Sequence, residues 1–143
     1  MKIAAANPML EIQRVIAYEC ELYLENELYI SQAIIKLNYD NLTNYKKAWQ
    51  HVVNKYEIFK TKFVFGDLKD DVQIVLNEGE LIWKEENWLQ SELKEKAEKE
   101  KVLQLAKYPL MKFSQVNTGN ETYLIWTFHH ILLDGWSMSL TLQ

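Results

Sequence analysis

The chain has 143 residues, enough for one domain with a core of its own, and 48% apolar and 25% charged residues is a globular balance. A net charge of −4 without a basic stripe argues against a nucleic-acid partner. No apolar run approaches the ~20 residues of a membrane span, and no signal-peptide pattern opens the chain, so a cytoplasmic location is expected.

Five Trp, eight Tyr and five Phe are more than a small core needs, which suggests large buried surfaces or a face built to pack against something else. Arg14 is the only arginine, so any planar bidentate contact must use it. The lone Cys20 has no internal disulfide partner, which fits a reducing compartment; its apolar surroundings in "AYECELYL" suggest packing rather than reactivity.

The segment "PMLEIQRVIAYECEL" predicts a helix after Pro8, with Met9, Ile12, Ile16 and Cys20 on the apolar side. A strand is expected from about Leu28 to Leu37. "DNLTNYKKAWQHVVNKYEIF" follows as the clearest helix, with a cap at Asp40 or Asn41. Its apolar stripe is Leu42, Tyr45, Ala48, Trp49, Val52, Val53 and Tyr56, with Lys46, Lys47, Gln50 and Asn54 opposite. His51 sits mid-helix and needs no function.

"KTKFVFG" and "DVQIVLNEG" look like two strands joined by the polar turn "GDLKDD", and "LIWKEENW" like a further extended piece. "NWLQSELKEKAEKEKVLQLA" reads as a charged surface helix with (i, i+4) pairing. "LMKFSQV" and "TYLIWTFHH" flank the hairpin signal "NTGNE". After Gly135 a helix begins, with Ser137 a candidate N-cap.

The most chemical segment is "HHILLDGWS", His129 to Ser137. Strand alternation puts Leu124, Trp126, Phe128 and His130 on one face, and Tyr123, Ile125, Thr127 and His129 on the other. The two histidines are therefore not expected to share a metal, and no Cys or carboxylate cluster accompanies them. One imidazole can serve as base or hydrogen-bond acceptor, with Asp134 orienting it or bracing the turn and Gly135 giving a sharp bend with an accessible N–H. On spacing alone, a strand end followed by an ordinary Asp-Gly turn stays equally open. No G-x-S-x-G elbow or P-loop is present.

"HHILLDGWS" resembles the HHxxxDGxS motif of condensation domains from nonribosomal peptide synthetases, in the chloramphenicol-acetyltransferase-like superfamily. "MLEIQRVIAYE" resembles that family's opening segment, with Gln13 at the position of a recurrent Gln. "LTNYKKAWQHVVNKYEIFKTKF" resembles its helix leading into an RHExLRTxF-like motif, and "YPLMKFSQVNTGNETYLIWTFHHILLDGWSM" its strand-turn-strand. The likeness runs from about Pro8 to the end. It departs where Lys55 and Lys60 replace arginines, Tyr56 a His, Phe59 a Leu and Lys112 an Arg, while Glu57, Thr61 and Phe63 fit. Cyclisation domains carry Asp where this chain has His129 and His130, and epimerisation domains continue in a Val-Ser-Trp order, so the Trp136, Ser137 order favours condensation.

The resemblance implies an α/β (α+β) fold, a chloramphenicol-acetyltransferase-like lobe with a mixed, largely antiparallel sheet and helices packed on it. Residues 1–143 would be the N-terminal lobe, with the C-terminal condensation lobe absent. It implies transfer of a carrier-bound acyl or peptidyl thioester to a carrier-bound amine, both tethered by phosphopantetheine arms on carrier proteins, with no directly bound cofactor or metal. His130 would be the reactive imidazole, as base or positioner, and the Gly135 N–H an oxyanion donor. His129, Asp134, Trp136 and Ser137 would be structural, with Arg14 the one arginine available to meet Asp134. A lone lobe would be inactive or weak and would expose its partner-facing surface, for which Trp126, Phe128 and Trp136 are expected. The alternatives are a non-catalytic module that binds carrier proteins or pairs with another lobe, and a free-standing acyltransferase of the superfamily.

Overall fold

A computed structural model describes residues 3–22, 29–38, 42–64, 71–105 and 107–132. Strand β1 (Ile3–Pro8) has no counterpart in the sequence reading, because its alanines carry no strand signature. It is an edge strand, antiparallel to β4 (Val72–Leu76), with Pro8 opposite Val72. At an edge a residue without an N–H is tolerated.

Helix α1 (Glu11–Leu22) turns its apolar side differently from the prediction. Gln13, Ile16 and Ala17 are buried together with Met9, whereas Ile12 is 63% exposed. The Gln13 amide explains the rotation, since its Oε1 accepts the Leu10 N–H at 2.8 Å and so satisfies a donor at the helix start. The Cys20 side chain lies outside the described residues. The Met9 N–H donates to Asp71 O, and the Tyr18 hydroxyl to Asp71 Oδ2, which ties α1 to the start of β4.

Strand β2 (Ile30–Leu37) matches its expectation. Helix α2 (Leu42–Lys55) buries Trp49 and Val53 and half-buries Leu42, Tyr45 and Val52. Ala48 and Tyr56, placed on the same stripe from sequence, are exposed. The helix ends one residue before Tyr56, whose backbone is extended (φ −99°, ψ 120°), and a 3-10 turn (Glu57–Lys60) follows. Gln50 and Asn54 are not merely solvated: Gln50 Nε2 donates to Gly79 O, and the Gly79 N–H donates to Asn54 Oδ1. A Cβ at Gly79 would lie 2.2 Å from Val53 Cγ1, so this approach requires a glycine.

Strand β3 (Thr61–Val64) completes a three-stranded antiparallel sheet in the order β1-β4-β3. In the segment that resembles the RHExLRTxF motif, Thr61 Oγ1 donates to Glu57 O at 2.6 Å, and Phe59 and Phe63 are buried.

The other sheet has the order β2-β7-β6-β5. Strands β6 (Met111–Asn117) and β7 (Thr122–His129) form the expected hairpin, whose turn carries Gly119 at φ 94°. β7 is also antiparallel to β2, whereas β5 (Trp83–Asn87) runs parallel to β6. The charged helix is shorter than its sequence suggests: α3 spans Leu93–Lys99 after a 3-10 turn at Gln90–Glu92. Its ion pairs Glu92–Lys96 and Glu95–Lys99 follow the (i, i+4) spacing. Beyond Lys99 the chain leaves the helix, and Leu105 and Leu110 both reach the core.

Two apolar clusters cover the two faces of β7. Leu124, Trp126 and Phe128 pack with Met111, Phe113, Trp49, Val53, Phe59 and Phe63, while Ile125 joins Val116, Trp88 and Ala97 under α3. Trp126 and Phe128 are at most 1% exposed, so they are core residues and not a free apolar face. The reason is α2: Trp49 lies 5.0 Å from Trp126, ring centre to ring centre, and 4.7 Å from Phe113. Trp136 lies outside the described residues.

Candidate functional site around His129 and His130

The register between β2 and β7 builds the site. Ile30 faces His129 and Ser31 faces Phe128, so Ser31 projects to the same face as Phe128 and, two residues on, His130. The His130 N–H donates to Tyr29 O at 2.7 Å, and the His129 N–H to Leu110 O at 2.9 Å. The end of β7 is thus pinned on both sides.

The two imidazoles then differ in every respect. His129 is 2% exposed, and its ring lies nearly parallel to that of Tyr29 with centres 6.4 Å apart. Its Nδ1 accepts the Ile131 N–H at 3.1 Å, which puts the proton of the neutral ring on Nε2. Burial, and secondarily the neighbouring His130, push its pKa down to about 4, so it is neutral at physiological pH. His130 is half-buried; its Nε2 lies 2.5 Å from Ser31 Oγ, and its ring sits 6.2 Å from that of Phe128. His129 is thus buried and hydrogen-bonded, while His130 is the more exposed of the two imidazoles.

Of the other residues expected in the site, Arg14 is exposed on α1. Asp134, Gly135, Trp136 and Ser137 lie outside the described residues. Lys112, in an arginine position of the family pattern, donates to Val102 O at 3.1 Å and lies 3.6 Å from Glu100. A single cationic donor therefore serves there without a fork. Ser31 carries no signal in the sequence, because only the cross-strand register brings it to His130. Among the described residues no three His, Cys, Asp or Glu side chains gather into a metal site. A polar pocket of about 540 Å³ lined by Lys36, Asn117 and Glu121 lies at the opposite end of β7 from the histidines.

An α+β unit whose hairpin delivers two histidines, one locked inside and one half-exposed, has the form of the chloramphenicol-acetyltransferase-like fold. The model of the condensation-domain family matches residues 4–143, and the chain belongs to that family. It is 31% identical over 144 residues to one of the linear gramicidin synthase proteins of Brevibacillus parabrevis, covering 93% of this chain and 3% of that protein. It is 34% identical over 99 residues to gramicidin S synthase 2 of Brevibacillus brevis, covering 62% of this chain and 2% of that protein. The chain thus spans a few per cent of the length of these relatives.

Among solved structures, a four-domain nonribosomal peptide synthetase bound to AMP and glycine superposes with a TM-score of 0.84 at 18% identity, over 99% of this chain and 11% of that one. The starter condensation domain of rhizomide synthetase superposes with a TM-score of 0.82 at 13% identity, over 98% of this chain and 37% of that one. At such identities these two establish the fold. Among the described residues no helix is long and apolar enough to cross a membrane.

Proposed function

We propose that this chain is the N-terminal lobe of a peptide-bond-forming condensation domain, in which His130 serves the attack of a carrier-bound amine on a carrier-bound acyl or peptidyl thioester. The observation that carries this reading is the contrast between the two histidines. His129 is sealed in and neutral, while His130 stands half-exposed at the strand end with its ring oriented by β2. A free amine needs little base before the tetrahedral intermediate forms, so His130 first positions the nucleophile and then takes its proton. The Gly135 N–H is the proposed oxyanion donor, and Asp134 and Arg14 the proposed brace of the loop.

The substrates arrive on phosphopantetheine arms of carrier proteins, and a C-terminal lobe completes the tunnel between them. The 37% share of the rhizomide condensation domain that the chain covers supports the reading as one lobe. The test is condensation between two loaded carrier proteins by this chain alone and with a separately supplied C-terminal lobe, with His130→Ala as control. Product only with the second lobe, abolished in the variant, is expected. Product that persists in His130→Ala overturns the role of His130, and no product in any arm favours a carrier-binding or lobe-pairing module.

A further inference from the structure

We propose that Ser31 is the positioning residue for His130: its hydroxyl donates to Nε2 and holds the neutral imidazole in the tautomer protonated on Nδ1. The inference deepens the reading of His130 given above and rests on it.

Three observations place Ser31 in this role. Its Oγ lies 2.5 Å from His130 Nε2, close enough for a direct hydrogen bond. Its position opposite Phe128 in the β2–β7 ladder fixes the direction of its side chain, and the bond runs along the diagonal to the residue two positions further. Two positions before Ser31, the carbonyl of Tyr29 accepts the His130 N–H at 2.7 Å. Backbone and ring of His130 are thus held by one three-residue stretch at the start of β2, and Phe128 flanks the ring. A rotatable imidazole at a strand end is thereby reduced to one orientation, and a side chain as small as serine loses little rotamer freedom in doing so.

The direction of the bond follows from what the imidazole must do. Nε2 is the distal nitrogen, whereas Nδ1 adjoins the residue's own backbone. A ring that accepts a proton from a substrate at its outer edge needs Nε2 unprotonated, and a hydroxyl that donates to that lone pair keeps it so until the amine displaces the hydroxyl from it. The serine oxygen keeps its own lone pairs for an incoming N–H, so the half-buried hydroxyl also defines where an amine can stand. His129 shows the opposite arrangement one residue earlier, with a backbone N–H on Nδ1 and the ring proton on Nε2. The two neighbours therefore occupy opposite tautomers.

The test is a long-range proton–nitrogen correlation spectrum of the nitrogen-15-labelled chain at pH 8, above the ordinary imidazole range. The chain has three histidines, His51, His129 and His130, and single substitutions assign them. The expected result is a protonated Nδ1 and a hydrogen-bonded, unprotonated Nε2 for His130, and the reverse for His129. In Ser31→Ala the His130 signals revert to the Nε2–H form that free imidazole side chains favour, Ser31→Thr restores the native pattern, and the His129 signals stay put as a control on folding. A native His130 protonated on Nε2, or one whose tautomer is the same in Ser31→Ala, overturns the proposal. The tautomer of the unaltered chain decides the point even if Ser31→Ala does not fold. The spectrum needs no carrier protein, so the Ser31 assignment and the proposed role of His130 can each fail without the other.

Discussion

The side chains of His129 and His130 leave adjacent residues for opposite surroundings: Nδ1 of His129 accepts the Ile131 N–H in the interior, and Nε2 of His130 meets Ser31 on the other face of β7. Strand alternation makes this separation unavoidable, and a protonated His129 would face burial without solvent and lose its acceptor at Nδ1.

The consequence is a pH dependence of stability. The folded His129 titrates near 4 and an unfolded one near 6.5, so between these values the unfolded chain binds more protons. The stabilisation is present in full above pH 6.5 and is lost as the pH falls towards 4, about 3 kcal/mol in all. Urea denaturation at pH 7, 5.5 and 4 measures it. His129→Asn, which keeps an acceptor near Nδ1 but does not titrate, should flatten this part of the profile; an unchanged slope would mean that other groups control acid stability.

The aromatic core depends on Phe113, which is 1% exposed and has Trp49, Trp83 and Trp126 around it with ring centres 4.7, 5.3 and 6.0 Å away. Phe113→Ala should cost about 3–5 kcal/mol, and Phe113→Leu about 1 kcal/mol. Denaturation midpoints with an unchanged dependence on urea concentration would confirm that packing, and not the unfolded state, carries the difference.

At Gly79 the cost arises from overpacking. The added methyl of Gly79→Ala meets the stiff Val53 side chain, and about 1–3 kcal/mol of destabilisation is expected. In a Val53→Ala background the same substitution should cost less. Equal costs in both backgrounds would exclude the contact as the cause.

Gln32 fastens α3 to the sheet, since its Nε2 donates to Ala97 O at 2.7 Å and to Thr127 Oγ1 at 3.1 Å. Gln32→Ala removes both bonds and leaves the buried Thr127 hydroxyl without this donor, a loss of about 1–3 kcal/mol. Amide exchange should accelerate in α3 more than in α2. Uniform acceleration would show that the helix and sheet open together.

Periodicity makes most of the elements legible: the α2 stripe around Trp49 and Val53, the β6–β7 hairpin, and the split of His129 from His130. The motif "HHILLDGWS" points to the family, because such spacing is set by local chain geometry. β1 escapes a sequence reading because its strand character comes from β4 alongside it. The charged helix looks longer in sequence than it is, since its polar pattern continues past Lys99, where the helix ends.

Residues near one another along the chain set the local elements, the family motifs and the two-faced histidine pair, and these are readable without coordinates. Contacts between distant elements set the rest. They turn α1 so that Gln13 and not Ile12 is buried, and they bury Trp126 under Trp49 and Phe128 in the same cluster instead of leaving them as an open face. They also bring Ser31 to His130 across 99 residues of chain. Burial and cross-strand register depend on which elements meet, and no local pattern records that.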